Sequence, residues 1–235
     1  MIRADLPGAA VLFSDRRGGV SSGPYESLNL GILTEDDQAK VAENRRRLAS
    51  AIGHAPESVA MGWQVHGDEI REWDGPPERG GFARIGGELP RVDGHVTSVR
   101  EVPLLVLVAD CLPVALATPE RVAMLHCGWR GLAAGLLERA LETFPEPPAA
   151  ALGPGIEACC YEVGPEVLGA FAGLTGVAKG SMLSLRQIAF QKLWAAGVRH
   201  FESFPLCTSC RGDLFFSHRR DGGVTGRQAG VAWRK

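Results

Sequence analysis

The spacing of hydrophobic positions predicts short strands along much of the chain. Apolar runs with the length of buried strands occupy residues 10–13, 104–109, 114–117 and 122–126. Residues 59–73 also predict an extended segment, in which Gln64 and His66 would lie on the same side because side chains alternate along a strand. The C-terminal residues 201–233 predict further strands separated by turns at glycines.

Helical spacing marks other segments. Asp36 or Asp37 would cap a helix that runs to about Ile52, where Gly53 ends it. Further helices are predicted at residues 132–144, 165–171 and 185–196.

The order of these elements bears on the fold class. Residues 74–90 are rich in glycine, proline and charge, which predicts a surface loop, too short and too central to divide the chain. Strands and helices mix without a regular strand–helix–strand alternation. This favours an α+β fold with a mixed sheet and a single domain over residues 1–235.

Composition and charge exclude several function classes. The chain has 235 residues and a formal net charge of -2, which gives no long-range attraction to nucleic acid or to an anionic membrane. No segment has the length and hydrophobicity of a signal peptide or a membrane span, so a cytoplasmic protein is expected. In that compartment the six cysteines are expected as free thiols or metal ligands rather than disulfides.

Three residues at the ends of predicted strands are candidate metal ligands: His66, Cys111 and His126. Zinc prefers nitrogen and thiolate donors, and a catalytic site keeps one coordination position open. Spacing alone leaves other roles open. Cys111 could be a small buried apolar residue, His66 an exposed turn residue and His126 a core histidine with one hydrogen bond. Cys127 is predicted to face the core, opposite His126.

Two charged residues beside these ligands are further candidates. Asp110 could orient a ligand histidine, transfer a proton or simply cap a turn. Arg130, near the start of a predicted helix, could hold phosphate or be an ordinary surface residue. Cys207 and Cys210 form an isolated C-x-x-C, which matches neither a zinc deaminase motif nor a thioredoxin-like context.

Motifs around the three candidate ligands resemble those of a known family. The ligand-bearing segments are Gln64-Val65-His66-Gly67, Ala109-Asp110-Cys111-Leu112-Pro113 and His126-Cys127-Gly128-Trp129-Arg130-Gly131. Further matches are Ser27-Leu28-Asn29-Leu30-Gly31, Glu43-Asn44-Arg45, Cys160-Tyr161-Glu162-Val163-Gly164 and Gly226-Arg227-Gln228. The chain is identified as a member of the YfiH-like laccase-domain family, whose members are described as multicopper polyphenol oxidases and as purine nucleoside phosphorylases.

The resemblance implies a fold and a metal centre. The fold is a layered α/β/β/α arrangement with mixed β-sheets, shared with a toxin deamidase. The metal is zinc, with copper as the alternative, bound by His66, Cys111 and His126. Cys111, His126, Arg130 and Asp110 are the expected catalytic residues.

The resemblance also implies a reaction and its partners. The expected substrates are small molecules, a purine nucleoside and phosphate, with adenosine deamination as an additional activity of a monomer or small homo-oligomer. Copper-dependent phenol oxidation and amidase editing of a peptidoglycan precursor are the alternatives. The expected substrate-binding residues are Arg16, Asn29, Arg45 and Gln64. Two departures from the family pattern, Cys127 for alanine and His218 for tyrosine, remove no ligand.

Overall fold

The computed structural model describes residues 1–78, 80–84 and 88–235. The strands are β1 (Ile2–Leu6), β2 (Ala9–Phe13), β3 (Ile70–Trp73), β4 (Gly94–Thr97), β5 (Leu104–Val108), β6 (Leu112–Ala117), β7 (Val122–Cys127), β8 (Ala149–Leu152), β9 (Ala178–Lys179), β10 (Met182–Leu183), β11 (Phe201–Ser203) and β12 (Gln228–Arg234). The α-helices are α1 (Gln38–Ile52), α2 (Trp129–Ala134), α3 (Leu136–Leu141), α4 (Pro165–Gly169) and α5 (Leu185–Ala195).

Two sheets form the centre of the described structure. A four-stranded antiparallel sheet has the order β1-β2-β12-β5. A six-stranded sheet has the order β11-β8-β6-β7-β4-β3, in which β11 runs parallel to β8 and β3 parallel to β4. The remaining pairings in that sheet are antiparallel. The predicted mixed sheet is confirmed.

The two sheets pack face to face and helices cover their outer faces. Val11 and Val106 of the smaller sheet share a buried core with Ala115 and Met124 of the larger one. A second core joins the outer face of the smaller sheet to Leu48 of α1.

A third core joins the outer face of the larger sheet to α3 and α5, through residues such as Leu116, Leu137 and Ile188. The layers therefore follow the expected α/β/β/α order. Cys127 lies in this third core, on the helix-covered face, as its alternation with His126 predicts.

Helix α1 begins and ends as its sequence predicts. The Asp37 side chain accepts a hydrogen bond from the Ala39 backbone N–H at 2.7 Å, which satisfies a free donor of the first turn. Gly53 ends the helix with φ 80°, a left-handed conformation that glycine adopts without a Cβ clash.

Three predicted elements differ from the structure. The helix predicted at 132–144 is divided into α2 and α3, because Gly135 adopts φ 100° between them. The extended segment predicted at 59–73 is a strand only in β3, and His66 has φ 61°, which interrupts any alternation. The strands predicted over 201–233 are confined to β11 and β12, with irregular turns between them.

The surface loop predicted at 74–90 falls partly on residues 79 and 85–87, which lie outside the described residues. Of the rest of that loop, Asp74, Pro76 and Glu78 are exposed as predicted. Phe82 is instead buried against the core beside α1, so the prediction is wrong at that residue. Among the described residues, every helix is too short or too polar to cross a membrane.

Candidate metal centre

Strand register brings two of the predicted ligands together. In the β6–β7 pair, Leu112 lies opposite Cys127 and Pro113 opposite His126. Cys111 directly precedes β6, so it lies beside the end of β7 that carries His126. His66 reaches the same place from the loop before β3. One ligand atom from each residue lies within 4.8 Å of the other two.

The backbone around these ligands is constrained. His66 and Asp110 both have positive φ, 61° and 95°, which costs of order 1–3 kcal/mol per residue and is concentrated at functional sites. Gly128 directly follows β7. A Cβ added to Gly128 would lie 3.0 Å from His66 Cδ2 and 3.2 Å from Cys111 Sγ. A glycine at this position therefore lets both side chains approach closely, and a larger residue would require them to shift by a few tenths of an ångström.

Asp93 connects two of the ligands, and it was not predicted from the sequence. Its buried carboxylate accepts backbone N–H bonds from residues 65, 66 and 67 at 3.0, 3.0 and 2.8 Å. Asp93 Oδ1 also lies 2.7 Å from His126 Nδ1. Because Nδ1 is engaged in this way, Nε2 is the His126 nitrogen available to a metal.

The electrostatics favour charged forms at this site. Burial raises the pKa of Cys111, but the neighbouring His126 and His66 outweigh it and lower that pKa from 9.0 to about 6. Burial lowers the pKa of His126, whereas Cys111 and Asp93 outweigh it and raise that pKa from 6.5 to about 9. Burial likewise raises the pKa of Asp93, but the His126 hydrogen bond and the backbone donors bring it below its usual value. The site therefore favours a Cys111 thiolate, the form that binds metal.

The three ligands line one cavity of about 540 Å³. This volume falls within the range of roughly 300–1,000 Å³ typical of small-molecule sites. The polar and aromatic side chains around the ligands include Trp63, Trp129, Arg130, Tyr161, His218, Arg219 and Arg227. His66 is exposed and His126 is buried, so the site is open to solvent on the His66 side.

Gln64 and Asp110 line this cavity, but the protein itself occupies their polar groups. Gln64 Nε2 donates to the Leu107 carbonyl and Gln64 Oε1 accepts from the Leu107 N–H, both at 2.7 Å. Asp110 Oδ1 accepts from Thr208 Oγ1 at 2.6 Å, and Oδ2 accepts from the Arg219 N–H at 2.7 Å. Asp110 therefore does not orient a ligand histidine; Asp93 does.

Arg130 lines the cavity near the metal ligands. Its guanidinium lies 4.5 Å from the centre of the Trp129 ring, a cation–π contact, and its side chain is exposed. The helix that it helps to open, α2, has six residues. The position of Arg130 therefore depends on the Trp129 contact and the turn after β7.

The other predicted substrate-binding residues hold loops together instead. Arg16 donates to the Gly212 carbonyl at 3.0 Å and lies over Phe216. Buried Arg45 donates to the carbonyls of Leu30 and Phe82. Buried Asn29 accepts from the backbone N–H of Gly31 and of Arg227. None of these three is among the described residues that line the cavity.

Comparison with known proteins places this geometry in a family. The family model described as multi-copper polyphenol oxidoreductase laccase matches residues 10–235. The chain belongs to the YfiH-like laccase-domain family. The purine nucleoside phosphorylase YfiH of Escherichia coli K12 is 37% identical over 96% of this chain and 94% of its own. The purine nucleoside phosphorylase ORF3 of Streptomyces griseus is 39% identical over 94% of this chain and 92% of its own.

A solved structure in this family has the same fold. The crystal structure of YlmD from Geobacillus stearothermophilus superposes with a TM-score of 0.89 at 34% identity, over 97% of this chain and 92% of that chain. The predicted family and the predicted fold class are confirmed.

Proposed function

We propose that this protein is a zinc-dependent purine nucleoside phosphorylase. It would convert adenosine, inosine or guanosine and phosphate to the free base and ribose 1-phosphate, with adenosine deamination as a second reaction at the same site. The observation that carries the proposal is the convergence of His66, Cys111 and His126 on a cavity lined by arginines and aromatic rings. The names of the relatives support the reaction class.

The donor set fits zinc. Two imidazoles and one thiol, with ligand atoms within 4.8 Å of one another, match the nitrogen and sulfur ligands that zinc prefers. Three protein ligands leave the fourth position open, as in catalytic zinc sites. When bound there, zinc would supply a Lewis acid that polarises a substrate oxygen or nitrogen or acidifies a water.

The arginines of the cavity suit phosphate. Arg130, Arg219 and Arg227 line it together and carry the charge that attracts a phosphate dianion. In phosphorolysis a phosphate oxygen forms a bond to C1′ of the ribose while the C1′–N9 bond breaks. The bonding pair passes to the purine, which takes up a proton and leaves as the neutral base. The arginines would hold phosphate against C1′ for this displacement.

The aromatic residues suit the purine. Trp63, Trp129 and Tyr161 line the same cavity, and flat rings offer stacking surfaces to a flat base. In deamination a water oxygen would add to purine C6 and ammonia would leave. Asp93 would act as a positioning residue in both reactions, because it holds the His126 ring and the backbone that carries His66.

One observation favours a second candidate function, amide hydrolysis by a cysteine nucleophile. Cys111, His126 and Asp93 form a Cys–His–Asp arrangement, in which the carboxylate orients the imidazole and the imidazole favours the thiolate. In this case the Cys111 sulfur would bond to the amide carbonyl carbon as the carbon–nitrogen bond breaks, and the amine would leave with a proton from His126. Water would then hydrolyse the thioester to release the acid and the thiol, and the metal would be dispensable. Copper-dependent phenol oxidation, suggested by the family description, would require activity to follow copper content.

Elemental analysis paired with product analysis tests the proposal. Wild-type protein and His126→Ala are incubated with adenosine, with and without phosphate, and adenine, inosine and ribose 1-phosphate are separated by chromatography. We expect adenine and ribose 1-phosphate from the wild type only when phosphate is present, and inosine in either case. In the variant we expect all three products to be lost together with zinc. Full activity of metal-free protein on an amide substrate, with no phosphorolysis, would instead support the cysteine hydrolase.

A further inference from the structure

A second group of metal-binding side chains lies outside the cavity. One sulfur from each of Cys159, Cys160, Cys207 and Cys210 lies within 4.8 Å of the other three. Cys159 and Cys160 are far from Cys207 and Cys210 in the sequence. The C-x-x-C of Cys207 and Cys210 is therefore isolated in the sequence but not in the folded protein. A backbone bridge between Gly155 and Cys207 brings the two segments side by side.

Each pair lies on a tight turn. The Cys160 N–H donates to the Glu157 carbonyl at 2.9 Å, which closes the first turn. The Arg211 N–H donates to the Cys207 carbonyl at 3.0 Å, which closes the second. Arg220 Nη1 donates to the Thr208 carbonyl at 2.9 Å and holds the second turn from outside. These hydrogen bonds hold the two cysteine-bearing turns in place beside each other.

The sulfur distances fit a shared metal ion better than a disulfide. Cys210 Sγ lies 3.5 Å from Cys159 Sγ and 3.4 Å from Cys160 Sγ. A disulfide would require about 2.05 Å and would join Cys210 to one partner at the expense of the other. Tetrahedral zinc with Zn–S bonds of about 2.3 Å places its sulfurs about 3.8 Å apart. The cluster therefore needs only small adjustments to surround zinc.

The cluster is buried at one end and open to solvent at the other. Cys207 is 7% exposed, whereas Cys159 and Cys210 are exposed. A metal ion could therefore enter from solvent and bind against a buried base.

We propose that Cys159, Cys160, Cys207 and Cys210 together bind a structural zinc ion, separate from the centre at His66, Cys111 and His126. Four thiolates fill the coordination sphere of zinc and leave no position for substrate. The ion would cross-link the turn at 157–160 to the turn at 207–210. The proposal is independent of the reaction proposed for the cavity.

This cross-link would support one wall of the cavity. Tyr161, which lines the cavity, directly follows Cys160. Thr208, which lies between the two cysteines of the second turn, is buried and donates to Asp110 at 2.6 Å, beside Cys111. Loss of the ion would therefore loosen both turns and the residues attached to them.

Zinc content of cysteine variants tests the site. Protein is purified without chelators and without an affinity tag that binds metal. The zinc content is then measured by inductively coupled plasma mass spectrometry. We expect about two zinc ions per wild-type chain and about one in both Cys210→Ser and Cys111→Ser. Cys127→Ala, which removes a buried thiol outside the cluster, should keep the wild-type content of the four-cysteine site. Unchanged zinc content in Cys210→Ser would overturn the proposal. So would a disulfide at Cys210 in the wild-type protein, seen as an intact mass lower than that of the reduced chain by two hydrogen atoms.

A second variant covers the case in which Cys210→Ser fails to fold. Cys210→His keeps a zinc-binding side chain, so we expect it to retain the second ion. Cobalt(II) bound to Cys111→Ser should show the strong thiolate-to-metal charge-transfer bands of a four-sulfur site. Absence of those bands in folded, cobalt-treated Cys111→Ser would contradict the site whether or not the protein cleaves nucleosides.

Discussion

Asp93 Oδ1 lies 2.7 Å from His126 Nδ1, and the same carboxylate accepts the backbone N–H of His66 at 3.0 Å. One buried carboxylate therefore positions two of the proposed metal ligands, although they come from different segments of the chain. This coupling means that a change at Asp93 should act on the metal centre without removing a ligand.

Asp93→Asn tests this coupling. The asparagine amide is neutral and has only one acceptor oxygen. It therefore cannot accept hydrogen bonds from His126 and from all three backbone N–H groups, and the histidine ring loses its fixed orientation. We expect zinc affinity to fall roughly 10–100-fold, as is typical when the partner of a ligand histidine is lost. Competition with a coloured zinc chelator measures the effect. Asp213→Asn, which removes an exposed ion pair with Arg211, is the control, and an equal loss in both variants would contradict the role of Asp93.

Gly128→Ala tests the close approach of the ligands. The new Cβ would lie 3.0 Å from His66 Cδ2 and 3.2 Å from Cys111 Sγ, so at least one ligand must shift. We expect weaker zinc binding and lower activity in a folded protein. Gly164→Ala is a matched control, because a Cβ there meets no atom within 4 Å and the backbone has φ -78°. Normal zinc affinity in Gly128→Ala would show that the site tolerates the added methyl group.

Arg130→Met tests the phosphate assignment. Loss of a charge-assisted contact should raise the KM for phosphate roughly 10–100-fold, while zinc content stays unchanged. Initial rates at varied phosphate concentration give the answer. Arg199→Met is the control, because Arg199 also stacks on a tryptophan, Trp194, but lies outside the cavity lining. A phosphate KM that does not change in Arg130→Met would remove this residue from phosphate binding.

His95 should make stability depend on pH. It is buried on β4, and Trp73 Nε1 lies 3.2 Å from its Nδ1. Burial lowers the pKa of His95 from 6.5 to about 4, and the nearby Asp93 only partly opposes this. Between these values the unfolded chain binds a proton that the folded protein excludes, so stability decreases as pH falls below about 6.5.

The expected loss from His95 is about 2 kcal/mol between pH 7 and pH 5. Urea unfolding at both pH values measures it, and His95→Gln should lose less stability over the same interval. His200→Gln, a change at an exposed histidine, should behave as the wild type. An identical pH dependence in His95→Gln and the wild type would contradict the account of His95.

Local patterns predicted the α+β class and the mixed sheet, and the family resemblance implied the order of the layers. Alternation along β7 separated His126 from Cys127, and Asp37 and Gly53 defined the ends of α1. Two features depend on backbone geometry that hydrophobic spacing does not encode. These are the break at Gly135 and the irregular path around His66, both with positive φ.

The sequence indicated part of the candidate site. Motif resemblance indicated His66, Cys111 and His126 as candidate metal ligands, and the structure brings the three side chains together, while their binding of a metal stays a prediction. It also indicated Arg16, Asn29 and Arg45, whose side chains bind the protein instead of lining the cavity. A family motif does not distinguish a residue that binds the substrate from one that holds a loop in place by hydrogen bonds.

Asp93 and the four-cysteine cluster were missed because both depend on contacts between distant segments. Asp93 comes directly before β4, and a lone acidic residue beside a buried strand was the available signal. Cys207 and Cys210 were interpreted as an isolated C-x-x-C, since no spacing rule connects them to Cys159 and Cys160.

Diffraction data collected above and below the zinc absorption edge test the metal centre most directly. We predict an anomalous peak bonded to His66, Cys111 Sγ and His126 Nε2, at distances of about 2.0–2.3 Å. Crystals of zinc-supplied protein in which these three side chains point apart, with no anomalous peak between them, would contradict the account.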